Sequence, residues 1–414
     1  MDKIIYFMLP LYGHMNPNIN LLKQLSESNN KVICYTTPKF QHMFEGLNIQ
    51  VKYYTNQVEE FYRLPANIQE DKQLGPFQLD ISRGIRSQAI RANVELISAV
   101  YNSHIDEVKA FKPECILYDS VANWGSVFGE KLNIPYFSIE AATWDSMDKY
   151  NKTYRDYLNN VVVKAINKEI NIEQIILHKK KLARELTDRY SAIVGKRSKH
   201  IPNLSIALAS PMLQIASNEL DASHKYCGFH LEVKAPSKDK NLIYVTRGTV
   251  QNQEELNVLR KMICCLKSTD EQIEVSSGGK AQYQLLKYNE DELPKNVMIN
   301  EFINQIDILT KAKIMVCHGG ITGVREAIFC GTPMIIYPYN YHCYQVGRAV
   351  EKAKAGILLK NYPFDPEELL QAIKTIEQDD IYQQGVERVK QELEQRYKTQ
   401  SVISIIEQYM KTGK

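Results

Sequence analysis

The sequence predicts an α/β protein with two domains, each built on a parallel sheet. Its 414 residues exceed what one hydrophobic core usually supports. Apolar segments of strand length alternate with helical segments almost from the first residue, as expected for parallel strands joined by crossover helices. The stretch 232–240, which contains Pro, Ser, Lys and Asp, separates two such series and has the composition of a linker. We therefore expect two domains that face each other across a cleft.

The first strand–helix–strand unit opens the chain. Residues 3–9 form an apolar run of strand length, and a loop at 11–15 follows. Asn16 fits the N-cap of a helix over 17–28, because the proline at its first position has a backbone suited to a helix start. A second strand is predicted over 31–37, which completes the unit.

The same order of elements returns later in the N-terminal half. A short apolar run at 115–118 ends at Asp119, a helical stretch covers 121–132, and a strand is predicted at 134–139. The long stretch 144–198 is polar, rich in Tyr and Lys, and helical in spacing. We interpret it as an insertion that lies over the cleft.

A second series of strands and helices begins after the linker. Its predicted strands are 241–246, 272–276, 297–302, 314–317 and 334–337. We place an N-terminal domain at 1–231 and a C-terminal domain at 241–395. The helix at 396–414 is expected to pack back toward the N-terminal domain.

Composition and charge exclude several classes of function. The net charge of +3 argues against nucleic acid as the main partner, and the basic run 179–181 is typical of a solvated helix face. The eight cysteines form no Cys-x-x-Cys motif, and no Asp-x-Asp pair appears where a diphosphate-bound cation would need it, so neither disulfides nor a metal is expected. The apolar segment 4–11 is too short to span a membrane and lacks a signal-peptide cleavage site. We expect a cytoplasmic monomer or homodimer without stable membrane insertion.

Two polar residues follow strands of the N-terminal half. His14 lies in the loop after the first strand, and Asp119 ends the strand at 115–118. Ligands of parallel sheets bind at the carboxyl ends of the strands, where a carboxylate can orient a histidine. The second ring nitrogen would then take a proton from a hydroxyl, as a general base does. Taken singly, His14 also fits a loop-packing residue and Asp119 a helix cap.

The segment 318–326 follows an apolar strand and opens a helix. Its two leading glycines allow the backbone to approach a ligand closely, and a helix start presents free N–H groups to a diphosphate. His318 has a hydrogen bond to offer a phosphate oxygen, and Glu326 has oxygens that accept from ribose hydroxyls. A glycine-containing turn alone also fits a purely structural role.

Three further stretches lie at predicted strand ends of the C-terminal half. The turn Thr246, Arg247, Gly248 and Thr249 offers hydroxyls and N–H groups to the same phosphates. Phe302 is a candidate to stack on a base, although an isolated aromatic residue is more often part of a core. Tyr344 and Gln345 follow the last predicted strand.

Taken together and in this order, these motifs resemble those of the family 1 GT-B glycosyltransferases. The chain is most similar to the bacterial macrolide and flavonoid enzymes. The resemblance runs from Ile4 to about Met410 and rests on five segments. They are 13–17 (Gly-His-x-Asn-Pro), 118–119, 246–249, 302–305 and 318–326.

The resemblance implies the GT-B fold of two Rossmann-like domains facing across a cleft, and an inverting transferase. It implies that His14 is the base and Asp119 its partner, and that a sugar passes from a nucleoside-diphosphate sugar, expected to be a UDP-sugar, to a hydroxyl of a small hydrophobic acceptor. The nucleotide sugar is a co-substrate, and no cofactor is implied.

The resemblance also implies the contacts of the nucleotide sugar. Phe302 stands where the family stacks the base, Ile303 where the backbone pairs with uracil, and Gln305 in the turn that follows. Glu326 matches the ribose-binding carboxylate. The diphosphate site is matched by His318, Gly320, Thr322 and Gly323.

The chain departs from the family at three positions of the donor site. Thr322-Gly323 replaces the common Asn-Ser, and Tyr344-Gln345 replaces the sugar-binding Asp-Gln pair. A phenol lacks the two acceptor oxygens of a carboxylate, so either His342 substitutes or the donor is not ordinary UDP-glucose. Arg247, at a position usually apolar or small, either adds charge to the phosphate site or points into solvent.

Acceptor contacts and competing functions complete the predictions. Phe77, Trp144 and Tyr150 are aromatic candidates for the acceptor pocket. The main alternative is a catalytically silent homologue that binds a nucleotide sugar or assists a partner transferase; the intact His14 and Asp119 argue against it. No Gly-x-Gly-x-x-Gly follows a strand, which argues against a dinucleotide oxidoreductase.

Overall fold

The computed structural model contains two parallel sheets, one in each half of the chain. It describes residues 2–63, 87–140, 154–166, 171–195, 202–214, 222–235, 237, 240–248, 253–267, 269–286 and 295–413. Within these residues, no helix is long and apolar enough to cross a membrane.

The N-terminal sheet has seven parallel strands in the order β3-β2-β1-β4-β5-β6-β7. The strands are β1 Lys3–Phe7, β2 Lys31–Thr36, β3 Gln50–Tyr53, β4 Cys115–Asp119, β5 Tyr136–Glu140, β6 Leu204–Leu208 and β7 His224–Cys227. β1 and β4 are neighbours, with Phe7 in register with Tyr118. The strand order reverses between them, so the loop after β1 and the end of β4 border the crevice where ligands of such sheets bind.

The helices of this half include one departure from the prediction. They are α1 Tyr12–Met15, α2 Ile19–Glu27, α3 Asn56–Arg63, α4 Ser87–Phe111, α5 Trp124–Leu132, α6 Val163–Ile166 and α7 Ile172–Val194. The predicted start at Asn16 is wrong, since Asn16–Asn18 forms a 3₁₀ turn and the regular helix begins at Ile19. Further 3₁₀ turns span Pro38–Phe44 and Pro211–Leu213, and a π-helical turn spans Leu158–Val162.

The C-terminal sheet has six parallel strands in the order β10-β9-β8-β11-β12-β13. The strands are β8 Leu242–Thr246, β9 Gln272–Ser276, β10 Val297–Asn300, β11 Ala312–Cys317, β12 Met334–Ile336 and β13 Gly356–Leu358. β10 ends two residues before Phe302, which therefore lies in the following loop and not in the strand as predicted. The order reverses between β8 and β11, so the turns after these two strands meet at one edge.

Eight helices of the described residues accompany this sheet and the C-terminus. They are α8 Gln253–Leu266, α9 Lys280–Leu286, α10 Gln305–Leu309, α11 Ile321–Phe329, α12 Tyr341–Lys352, α13 Pro366–Gln378, α14 Ile381–Thr399 and α15 Val402–Thr412. α15 returns to the N-terminal half, where Val402 and Ile406 are buried in the core beneath β1 and β4. Tyr409 extends this contact by accepting a 2.8 Å hydrogen bond from Asn203.

The helical segments 154–166 and 172–194 contribute to the cores of both halves. Tyr154 and Tyr157 are buried in the hydrophobic core of the C-terminal half, together with Tyr341 of α12. At the other end of α7, Tyr190 and Val194 are buried in the core of the N-terminal half. A helix of this length spans about 35 Å at 1.5 Å per residue, which is enough to connect two domains. These segments therefore link the sheets across their boundary.

Candidate active site

His14 and Asp119 lie side by side at the reversal point of the N-terminal sheet. Nδ1 of His14 is 2.9 Å from Oδ2 of Asp119. The carboxylate is 1% exposed, whereas the imidazole keeps 26% of its surface exposed. The other oxygen of Asp119 accepts the backbone N–H of Val121 at 3.0 Å. The carboxylate is therefore held from both sides, and it orients a histidine whose remaining ring nitrogen is available to the cleft.

A buried residue that was not predicted, Asn18, holds the short helix α1, where His14 lies instead of in the predicted loop. Its side-chain amide donates to the carbonyl of His14 at 2.6 Å, and its oxygen accepts the hydroxyl of Tyr6 at 2.8 Å. Asn18 is 1% exposed. Because Tyr6 belongs to β1, this chain of bonds ties the helix to the strand before it. The Asn-Pro-Asn sequence at 16–18 was the available signal for this contact.

The turn after β11 brings a histidine and two glycines to the start of α11. Gly319 has a φ of +89°, and a Cβ there would lie 2.9 Å from the carbonyl oxygen of Cys343. Gly320 is the N-cap of α11, and a Cβ at this position would lie 2.7 Å from Nε2 of His318. Both positions thus require glycine. The first N–H groups of α11, which include those of Thr322 and Gly323, have no acceptor within the helix and can bind an anion.

The turn after β8 approaches the same histidine. Gly248 has a φ of +77°, and a Cβ there would lie 2.7 Å from Cε1 of His318. The hydroxyl of Thr246 accepts the N–H of Gly248 at 3.2 Å, which closes the turn. Thr249 lies outside the described residues. The two turns converge where the order of the second sheet reverses.

His318 is a neutral imidazole in this environment. Burial, with a smaller contribution from the nearby Arg247 and His342, lowers its pKa to about 3. Its buried Nδ1 has no hydrogen-bond partner among the described residues. A neutral ring with an unused nitrogen has a donor or an acceptor left for a bound molecule.

Arg247 takes neither of the two predicted positions. Its side chain is fully buried, Nε donates to Oε2 of Glu255 at 2.8 Å, and Nη1 donates to the carbonyl of Tyr337. The guanidinium also lies 5.3 Å from the ring of Tyr337. A buried charge requires a partner, and Glu255 supplies it. Arg247 therefore supports the turn from below through these buried hydrogen bonds, and its positive charge helps to lower the pKa of His318. It does not lie on the surface.

Glu326 belongs to a chain of polar contacts along α11. Nε2 of Gln305 donates to Oε2 of Glu326, and the oxygen of the same amide accepts the hydroxyl of Tyr244 at 3.3 Å. Burial raises the pKa of Glu326 to about 7, although the bond from Gln305 opposes this. Gly323 lies on the same side, since a Cβ there would be 3.1 Å from Nε2 of Gln305. The carboxylate is thus an oriented, half-buried acceptor.

Phe302 presents an open aromatic surface. Its side chain is 67% exposed, so it lies outside the core and its ring is open to solvent. Gly279 lies beside it, with the position of a Cβ 3.8 Å from Cζ of Phe302. Ile303 packs partly buried against the core. The loop 277–279 was not predicted, although the Ser-Gly-Gly sequence after β9 was a readable signal.

Tyr344 is a buried residue of α12. Its ring lies 5.5 Å from that of Tyr157 and 5.9 Å from the guanidinium of Arg348, and only 8% of the residue is exposed. The helical stretch 154–166 packs over its ring, and a role of Tyr344 at the sugar-binding position stays a prediction. Gln345 is also buried, at 7% exposure. The three predicted acceptor residues, Phe77, Trp144 and Tyr150, lie outside the described residues.

The two halves of the site are close enough to interact electrostatically. Burial lowers the pKa of His342, in the first turn of α12, and electrostatic interaction with His14 of the N-terminal half and with Arg325 lowers it as well. No group of three or more His, Cys, Asp or Glu side chains among the described residues is arranged to hold a metal ion. The arrangement pairs an oriented base with an anion-binding helix start across a cleft.

Comparison with known proteins agrees with this geometry. Residues 283–409 match the family described as Erythromycin biosynthesis protein CIII-like, C-terminal domain. The "Uncharacterized UDP-glucosyltransferase YojK" of Bacillus subtilis (strain 168) is 20% identical over 404 residues, which cover 95% of this chain and 94% of the relative. Together, these similarities support a glycosyltransferase of the GT1, GT-B type.

Solved structures of glycosyltransferases share the fold of the whole chain. The glycotransferase of kitacinnamycin superposes with a TM-score of 0.71 at 18% identity, and 98% of each chain is covered. The spinosyn rhamnosyltransferase SpnG complexed with thymidine diphosphate gives a TM-score of 0.63 at 17% identity, with 95% of this chain and 96% of that chain covered. The predicted GT-B fold and the predicted class of enzyme are therefore confirmed for this glycosyltransferase.

Proposed function

We propose that this glycosyltransferase moves a sugar from a nucleoside-diphosphate sugar to a hydroxyl of a small hydrophobic acceptor, with inversion at the anomeric carbon. The observation that carries the proposal is the His14–Asp119 pair, 2.9 Å apart, at the point where the strand order of the N-terminal sheet reverses. A silent binding protein has no use for an oriented base, which favours an enzyme over the alternative.

The proposed reaction is a single displacement. Asp119 holds Nδ1 of His14, so Nε2 removes the proton of the acceptor hydroxyl as its oxygen attacks the anomeric carbon. The new carbon–oxygen bond forms while the bond to the nucleoside diphosphate breaks, and its electron pair leaves with the diphosphate. The imidazolium that forms is stabilised by the Asp119 carboxylate and then loses its proton to solvent.

The leaving diphosphate is proposed to lie against His318 and the first turn of α11. Free N–H groups and the positive end of the helix dipole stabilise the charge that develops on the diphosphate. Because burial keeps His318 neutral, it adds a hydrogen bond there and no net charge.

The nucleoside is proposed to lie between Phe302 and Glu326. The exposed ring of Phe302 offers a stacking surface for the base, and Ile303 follows it to pair through the backbone. Glu326 accepts from the ribose hydroxyls when it is ionised, which requires a pH above about 7.

The nature of the two substrates is supported by the relatives. YojK is named as a UDP-glucosyltransferase, and SpnG was solved with thymidine diphosphate, so we propose a UDP-sugar as donor and a TDP-sugar as the nearest alternative. The match to an erythromycin biosynthesis domain favours a natural product of macrolide or flavonoid type as acceptor. All eight cysteines are free, which suits the reducing cytoplasm.

The test combines binding with the stereochemistry of the product. UDP, TDP and GDP are titrated into the protein by calorimetry, and transfer from UDP-glucose and TDP-glucose to a flavonoid and a macrolide aglycone is followed by mass spectrometry. We expect selective binding of UDP or TDP and a β-linked product from the α-linked donor, assigned by NMR coupling. Retention of configuration would exclude the single displacement, and failure of all three nucleotides to bind would favour a silent homologue.

A further inference from the structure

The buried hydroxyl of Tyr54 joins the two segments that carry the pair of His14 and Asp119. It donates a 2.9 Å hydrogen bond to the carbonyl of Met8, the residue directly after β1. The same oxygen accepts the indole N–H of Trp124, the first residue of α5, at 3.2 Å. All three of these side chains are buried. One phenol therefore binds a residue that precedes His14 and a residue that follows Asp119.

The segment from Met8 to His14 is held by tight backbone turns. The N–H of Leu11 donates to the carbonyl of Leu9 at 2.8 Å, and the N–H of His14 donates to the carbonyl of Leu11 at 2.9 Å. The N–H of Met8 donates to a backbone carbonyl of β2 at 3.1 Å, so both polar groups of this backbone position are engaged. A shift of Met8 is passed on to His14, because these bonds limit the torsions of the residues between them.

The segment from Asp119 to Trp124 is equally compact. The carbonyl of Asp119 accepts the N–H of Ala122 at 2.7 Å, and the carbonyl of Ala122 accepts the N–H of Gly125 at 3.0 Å. Oδ1 of the Asp119 carboxylate accepts the N–H of Val121 at 3.0 Å. The carboxylate is thus tied to the turn that begins α5, and the indole of Trp124 anchors this turn to Tyr54.

The surroundings of Tyr54 hold its ring and keep its hydroxyl protonated. The ring lies edge-on to that of Trp124, with centroids 5.4 Å apart and 80° between the planes. The backbone N–H of Tyr54 donates to the carbonyl of Thr36, at the end of β2, at 2.9 Å. Burial, with a smaller contribution from the charge of Asp119, raises the pKa of the phenol well above its usual range, although the hydrogen bond from Trp124 opposes this. The hydroxyl therefore keeps its proton and remains the donor to Met8.

We propose that Tyr54 is a positioning residue, whose hydroxyl sets the orientation of His14 relative to Asp119. The inference rests on the proposed function, in which Nε2 of His14 is the base. Tyr54 acts through Met8 and Trp124, which its hydroxyl binds. Loss of the hydroxyl removes the partner of the buried indole N–H, which favours a shift of the turn. A base must lie within hydrogen-bond reach of the proton that it removes, and a misplacement of about 1 Å can cost about 10²-fold in rate.

The experiment compares variants that each lose a single tyrosine hydroxyl. Y54F tests the inference, and Y35F is the matched control for a buried hydroxyl. The ring of Tyr35 lies 5.9 Å from that of Tyr54, but its hydroxyl donates to Glu107 at 2.8 Å. Y53F is the control for an exposed tyrosine, whose hydroxyl donates to Gln41. Urea unfolding gives the stability of each variant.

NMR of protein labelled with nitrogen-15 histidine reports the tautomer of His14 at pH 8, and its signals are identified by their loss in H14A. In the natural protein we expect the proton on Nδ1, where Asp119 accepts it, and a bare Nε2. Y54F should raise the population of the opposite tautomer by about 10-fold, as for one weakened hydrogen bond. It should also lower kcat for transfer from UDP-glucose to a flavonoid aglycone by about 10-fold and change the Kd of UDP by less than about 2-fold. Y35F and Y53F should keep the natural tautomer and kcat.

The tautomer is measured without substrates, so the inference is tested whichever acceptor the protein uses. W124F removes the same 3.2 Å hydrogen bond from its other end, should give the same changes as Y54F, and decides the question if Y54F does not fold. A His14 tautomer in Y54F and W124F that equals that of Y35F overturns this inference alone. Full transfer by H14A, or a proton on Nε2 in the natural protein, overturns the proposed function instead.

Discussion

Nδ1 of His14 lies 2.9 Å from Oδ2 of Asp119, although 105 positions separate the two residues in the chain. β1 and β4 are adjacent in the sheet. Asp119 ends β4 and His14 lies in the short helix after β1, so the two side chains meet at the same edge. The base is therefore positioned by the sheet and by the hydrogen bond that Asn18 donates to the carbonyl of His14. Its contribution to the reaction can therefore be separated from the stability of the fold.

Removal of the imidazole should abolish transfer while donor binding persists. We expect H14A to lower kcat by about 10²- to 10⁴-fold, the usual contribution of a general base. The Kd of the nucleotide sugar should change little, because the proposed donor contacts belong to the C-terminal half. Single-turnover transfer and calorimetry measure the two effects. H42A, which replaces an exposed histidine, is the control, and near-normal turnover in H14A would exclude His14 as the base.

Loss of the Phe302 ring should weaken nucleotide binding without weakening the fold. Stacking on a base contributes about 1–3 kcal/mol, so F302A should raise the Kd of the nucleotide by about 10-fold or more. The free energy of unfolding should change by less than about 0.5 kcal/mol, because the side chain is already 67% exposed. M298A, which replaces another exposed apolar residue, is the matched control for calorimetry and urea unfolding. Equal Kd values in F302A and M298A would contradict a stacking role.

Glu326 should make stability and ligand affinity respond to pH in opposite directions. Its folded-state pKa of about 7 exceeds the ordinary value of 4.5, so the folded state binds the proton more tightly than the unfolded state. The stability of the free protein therefore falls as pH rises from about 4.5 to about 7 and stays lower above that. E326Q should remove this loss and stabilise the free protein at pH 8 by about 1–3 kcal/mol.

The same substitution should weaken binding of the nucleotide at pH 8, where the natural carboxylate is ionised and accepts from ribose. Thermal melts at pH 5 and pH 8, with and without UDP, separate the two effects. E387Q replaces an exposed carboxylate and should show neither. A lower melting temperature of free E326Q at pH 8 would contradict the raised pKa.

Substitution of Tyr344 should affect folding more than donor choice. Y344D places a carboxylate at an 8% exposed site against Tyr157, which should lower the free energy of unfolding by more than about 2 kcal/mol. Y344F keeps the ring and should remain near the natural stability. Urea unfolding and the donor preference of each variant provide the comparison. A stable Y344D with altered donor preference would return this residue to the sugar site.

Removal of one member of the buried Arg247–Glu255 pair should lower the free energy of unfolding more than replacement of both residues by apolar ones. R247M leaves the carboxylate of Glu255 buried without its partner and should destabilise the protein by about 3–5 kcal/mol. The double variant R247M/E255M removes both charges and should recover much of this loss. Urea unfolding of the natural protein, both single variants and the double variant gives the coupling energy. Additive losses would show that the pair contributes no coupling.

The local pattern of residues was sufficient for the strands that carry the site. β1, β4, β8 and β11 are nearly continuous apolar runs, because both faces of a parallel sheet are covered by helices. Short edge strands such as β7 and β13 escaped prediction, since a four- or three-residue strand has too few positions to show a period. Residues that follow the long strands, such as His14 and His318, could therefore be predicted from the sequence as candidate site residues.

The sequence by itself determined which residue types stand at the carboxyl ends of parallel strands, because strand periodicity and turn chemistry are local. Only the tertiary structure decided where the side chains point. Arg247 turned inward because a partner, Glu255, lies eight residues away on α8 and shares its burial. Tyr344 is buried because Tyr157, far away in the chain, covers its ring. Arg247 likewise donates to the carbonyl of Tyr337, which lies 90 positions away, and no local pattern contains such contacts.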